Sequence, residues 1–138
     1  MSEPMNRFHH GETGAVGWLI VMWLAVVAVI GVTAIDAGSI AFTKFRLADV
    51  ASTSSTQAAN NFKTTKNVDA ACQAAVVAIA AADASAKLAN KGCVVDVPTG
   101  MVTITVRKEA KTIIVGRLSF AKHFAKVTAT EANGPTSL

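Results

Sequence analysis

The chain has 138 residues, a formal net charge of +4 and 51% hydrophobic residues, yet few aromatics: six Phe, two Trp and no Tyr. That length allows one small domain, and abundant Ala, Val and Thr favour close packing of small side chains over an enclosed ligand pocket. Cys72 and Cys93 lie far apart in sequence, with His only at 9, 10 and 123, which excludes a CxxC redox motif and a structural zinc site.

Residues 1–12 form a short polar tail, and residues 13–35, TGAVGWLIVMWLAVVAVIGVTAI, carry no charge. As a helix this run reaches about 34 Å, enough to cross a hydrocarbon core of about 30 Å with some tilt. It is longer than the apolar core of a secretory signal, and the tail holds Arg7 with Glu3, Glu12, His9 and His10 rather than a basic cluster. A transmembrane helix is therefore expected. Arg7 before the span against Lys44 and Arg46 after it favours a cytoplasmic C-terminus, whereas the cysteine pair suits an oxidising compartment. The expectation is a single-pass protein with its C-terminal domain outside the cytoplasm.

No helix stop follows the span, and Ile40, Leu47, Val50 and Ala51 continue a helical stripe, so residues 36–59 read as an extramembrane continuation of the same helix. Asp36 asks for an explanation, since desolvation at the end of an apolar run is costly. It either marks the headgroup boundary or seeks a partner such as Lys44, Arg46 or another subunit. Gly14, Ala34, Ala37, Gly38, Ala41 and Leu47, with Asp36, are the candidate helix interface, because small residues let a second helix approach closely. The Ser/Thr run at 52–56 lowers helix propensity, and residues 60–66 read as a loop opening a domain over 60–138.

Asn67 is a plausible N-cap, with Asp69 in the first turn, for a helix whose stripe runs Val68, Cys72, Ala75, Val76, Ile79 and Ala82. From Cys93 the period becomes two, with a Pro98-Thr99-Gly100 turn and a second strand burying Val102, Ile104 and Val106 while Thr103, Thr105 and Arg107 face solvent. Residues 112–124 suit a short amphipathic helix or turn, and residues 126–132 a third strand. The fold class is α+β: a long N-terminal transmembrane helix continuing into a small domain, with a second helix packed on a roughly three-stranded antiparallel sheet. A helix unbroken to Lys91 forbids a Cys72–Cys93 bridge, but one ending near Ser85, followed by an extended return, allows it. The bridge is expected, with two buried free thiols as the alternative.

The chain lacks GxSxG, HExxH, a phosphate-cradling glycine loop and paired carboxylates on one face, so no catalytic residue, metal or cofactor is expected. From residue 60 onward ten Lys or Arg stand against Asp69, Asp83, Asp96, Glu109 and Glu131. Lys108, Lys111, Arg117, Lys122 and Lys126 are candidates for an anionic surface such as a cell-wall polymer, although the same charges serve as ordinary solvated surface. Aromatics do not interleave with them in the manner of a base-stacking platform, so nucleic acid is not an expected partner, nor is a small-molecule substrate.

The sequence around Asp36 carries a resemblance. An opening glycine, an apolar helix, AlaIleAspAlaGly, a basic stretch and an Ala/Ser-rich continuation resemble the TadE/TadG-like proteins of bacterial tight-adherence (Flp-type, type IV-like) pilus systems. Asp36, Gly38, Lys44, Arg46 and Leu47 match that pattern over about residues 12–60. Ser52 stands where the family often has Asp, and Val16 and Leu19 stand where a prepilin glutamate would follow Gly11 or Gly14. The resemblance implies a non-enzymatic pilin-like or pilus-assembly subunit, with a cytoplasmic N-terminus, a pilin-like domain outside, and the membrane and other pilus subunits as partners. The alternative is a single-pass anchored module that binds an anionic cell-wall polymer or DNA.

Overall fold

The computed structural model describes residues 13–136. The N-terminal tail, with His9, His10 and Glu12, lies outside the described residues. Helix α1 runs unbroken from Thr13 to Thr65, 53 residues and about 80 Å. It is followed by α2 (Val68–Ala82), β1 (Lys87–Asp96), β2 (Met101–Glu109), a short 3-10 helix (Lys122–Ala125) and β3 (Lys126–Asn133). The sheet is antiparallel in the order β1-β2-β3, so each strand pairs with its neighbour in sequence. The expected α+β architecture is present.

The two parts of α1 differ in what surrounds them. The window over the apolar run has none of its residues buried, as Trp18, Leu19, Trp23, Leu24 and Ile30 illustrate. From Leu47 on, the stripe of Leu47, Val50, Ala51, Ala58, Ala59 and Phe62 is buried against β2, β3 and α2. β2 presents Val102, Ile104 and Val106 to this helix, all at 0% exposure, and β3 adds Val127 and Ala129. The predicted alternation of β2 is observed because one face is covered by helices and the other is not.

Two expectations are corrected. Residues 60–65 are helical, not a loop: Phe62 is buried, and Asn60 accepts from the Thr136 amide at 2.9 Å and donates to its hydroxyl at 3.0 Å. Tertiary contacts override the weak propensity there, and the helix stops at Lys66, whose φ of 55° breaks the spiral while its amide still reaches the Phe62 carbonyl. The Ser/Thr run at 52–56 lies within the helix. Ser54 is buried and donates to the Val50 carbonyl at 2.7 Å, while Ser55 donates to the Ser52 carbonyl and accepts from Asn133 Nδ2 at 2.6 Å. The buried hydroxyls thus have partners, and their small size lets α1 lie close to its neighbours. Finally, α2 turns inward on Ala71, Ala75, Ala78 and Ile79, whereas Val68 and Val76 of the expected stripe are exposed.

Asn67 caps α2 as expected, its Oδ1 accepting from the Ala70 amide at 3.0 Å. The helix ends at Ala82, and the chain returns extended so that Cys72 and Cys93 form a disulfide with Cα atoms 5.9 Å apart. β1 begins six residues before the expected Cys93, and its pairing jumps from Leu88↔Val106 to Cys93↔Ile104. The intervening bulge carries Lys91 at φ 54° and presses Gly92 onto β2: a Cβ at Gly92 would stand 2.6 Å from the Thr105 carbonyl oxygen and 2.8 Å from that of Ala89. Only glycine fits, and the bulge sets Cys93 on the face that meets α2. At the hairpin tip Gly100, at φ 72°, donates to the Asp96 carbonyl at 2.8 Å.

Candidate functional site

Where α1 leaves its apolar run, two opposite faces serve different purposes. One carries Asp36, Ser39, Ile40, Thr43 and Leu47, spaced at three and four residues, and it is turned toward the domain. Asp36 is 1% exposed, and its carboxylate accepts from the backbone amides of Ile113 at 2.6 Å, Ile114 at 2.9 Å and Val115 at 3.0 Å. Ser39 donates to the Lys111 carbonyl at 2.6 Å. Asp36 therefore pairs neither with Lys44 nor with Arg46. Its partner is a turn of its own chain, whose three converging N–H groups solvate the carboxylate much as a helix N-terminus would. Leu47, also assigned to the helix interface, is 1% exposed within the core and has no surface to offer a second subunit.

The opposite face holds Ala34, Ala37, Gly38 and Ala41, all exposed, and the space beside Gly38 and Gly14 is open. Phe42 and Phe45 flank it at 63% and 76% exposure, with the Arg46 guanidinium 6.0 Å from the Phe42 ring centroid. That distance is at the limit of a cation–π contact.

The turn held by Asp36 belongs to a long loop between β2 and β3. Its base is closed by the Ala110 amide donating to the Ala125 carbonyl at 2.7 Å, and Ala121 and Ala125 pack inward. Gly116 donates to Thr112 Oγ1 at 2.8 Å, which tightens the turn. Ile113, Leu118, Phe120 and Phe124 remain exposed, as do Lys111, Arg117 and Lys122. His123 lies on the same surface beside Phe124 with ring centroids 3.9 Å apart.

The five basic candidates do not form one site. Lys108 is ion-paired with Asp83, the C-cap of α2, and is not a free cation. Asp83 also accepts from the Ser85 hydroxyl at 2.6 Å and the Ser85 amide at 3.0 Å. The Lys108 ammonium, then the Ser85 hydroxyl, hold the Asp83 carboxyl well below its usual range, outweighing the opposing effect of burial. Lys126 and the paired Lys108 line one open concavity with Lys87 and Arg107, which face each other across β1 and β2, and with Glu109 opposite Lys126. Lys87 carries no sequence signal of this site, because the period-two pattern of β1 is visible only from Cys93. Lys111, Arg117 and Lys122 sit apart on the loop.

Among the described residues no group of three or more His, Cys, Asp or Glu is placed to hold a metal ion. No protein-family model, curated protein or solved structure matches the chain.

Proposed function

We propose that the protein is a non-enzymatic, membrane-anchored pilin-like subunit or pilus-assembly component of a Tad/Flp-type system. The observation that carries this reading is the continuity of α1, an exposed apolar half long enough to span a bilayer joined without a break to a half that forms the spine of the domain. Such a helix anchors a subunit before assembly and offers an apolar rod for packing against copies of itself afterwards. The exposed Ala34, Ala37, Gly38 and Ala41 suit close helix approach, and the Cys72–Cys93 bridge suits an extracytoplasmic domain. The resemblance at Asp36 and Gly38 points the same way. Deletion of the gene, with fractionation of sheared surface filaments and of their membrane assembly complex, tests the reading. Loss of piliation or co-fractionation is expected, and unchanged piliation together with absence from both fractions overturns it.

A second reading, an anchored binding module for an anionic wall polymer or DNA, is favoured by the Lys87, Arg107 and Lys126 concavity on the outer face of the sheet. It requires binding that weakens steeply with salt and is lost when those three residues are replaced by Gln.

A further inference from the structure

We propose that the loop of residues 111–124 is a second membrane contact, resting on the same bilayer that α1 crosses. The proposal rests on the anchor reading of residues 13–35, and it adds that the domain is docked on the lipid surface rather than swinging from its helix.

Helix geometry sets the height of the loop. A span of residues 13–35 covers about 34 Å, against about 30 Å of hydrocarbon and about 40–45 Å with headgroups, so the outer hydrocarbon boundary falls near Ile35 and the headgroups occupy roughly the next 5–8 Å. The loop is fastened to α1 within that layer: Asp36 holds the amides of Ile113, Ile114 and Val115, and Ser39, about 5 Å further along the axis, holds the Lys111 carbonyl. The domain's long axis agrees, since the opposite end of α1 meets the far end of the sheet, where Ser52 and Ser55 bond Asn133 and Asn60 bonds Thr136.

The chemistry of the loop fits that layer. Ile113 is 53% exposed, Phe120 76% and Phe124 62%, which is costly in water but favourable where aromatic and aliphatic side chains enter the interface. Lys111, Arg117 and Lys122 alternate with them, and no acidic residue occurs between Ala110 and Thr130. An apolar set interleaved with cations and free of carboxylates matches a bilayer bearing anionic lipids. Phe42, Phe45, Lys44 and Arg46 give α1 the same mixture just beyond the span.

The test uses the full chain, disulfide intact, in vesicles of phosphatidylcholine with or without phosphatidylglycerol, and with spin-labelled quencher lipids in both leaflets. An environment-sensitive label is placed at Phe120→Cys or, as a distal control, at Val97→Cys in the exposed hairpin turn. Shallow quenchers are expected to remove most of the emission at position 120 and none at 97. The loss is expected to shrink without phosphatidylglycerol or when Lys111, Arg117 and Lys122 are all replaced by Gln. Trp18 and Trp23, the only tryptophans, report the span in the same samples. Quenched tryptophans with position 120 behaving like 97 overturn the docked loop and leave the anchor standing, whereas unquenched tryptophans overturn both. Protection at 120 that follows protein density rather than quencher lipid identifies a second copy as the occupant and also overturns the proposal.

Discussion

Residues 13–35 and residues 47–62 lie on one helix, but the first segment buries none of its described side chains while the second turns a stripe of apolar ones inward against two layers. The first is apolar on all sides and contains Gly14, Gly17 and Gly31 with open space around each, so it depends on an apolar surrounding and not on any one neighbour. The second alternates Leu47, Val50, Ala51, Ala58 and Phe62 with polar residues, and its buried hydroxyls are matched to particular acceptors. Membrane compatibility is a property of composition, whereas seating a domain is a property of position.

That contrast is broken most directly by equal truncations in the two segments. Leu47→Ala is expected to destabilise the domain by about 2–5 kcal/mol, while Leu24→Ala leaves its unfolding midpoint unchanged, as read by thermal melts in detergent. Equal shifts would remove the distinction. Replacing both Cys72 and Cys93 by Ser is expected to cost about 3 kcal/mol for a loop of this length, again without affecting retention in the membrane fraction. Asn133→Ala removes the amide that joins β3 to Ser52 and Ser55 and is expected to cost about 1 kcal/mol, with faster amide exchange at the distal end of β3.

The smallest effect is in pH. Asp83 has a depressed carboxyl pKa in the folded chain, so its contribution to stability is complete above its ordinary value of 3.8 and is lost as pH falls from there through the folded value. Asp83→Asn is expected to lower stability slightly at neutral pH and to flatten the acid limb in that window, so that the two profiles converge at the acid end. An identical acid limb in the variant would show that Lys108 and Ser85 do not hold the carboxylate.

The elements themselves were legible in the residues. The uncharged run, the Asn67 cap and the alternation of β2 each rest on local chemistry, and β3 begins at Lys126 as the pattern indicates and ends one residue later. What was not legible came from distance. Nothing near Asp36 reveals that its partners are three amides, the first 77 residues away, because backbone donors leave no mark in side-chain pattern. The inward face of α2 is not legible because a helix of Ala and Val offers little polar contrast to orient it. The helicity of residues 60–65 is not legible because it depends on the core around Phe62 and on Thr136, both distant in sequence.

The disulfide joins α2 to β1, so α1 lies outside the covalent ring it closes. A pull delivered along the apolar half of α1 enters the domain through that helix alone, and it is resisted by the carboxylate clamp at Asp36, the Ser39 bond and the apolar seam beyond them. The crosslink bears none of that load while α1 stays seated. Oxidation therefore hardens the layer behind the spine, while the mechanical strength of the domain under tension is set by contacts that can release and re-form.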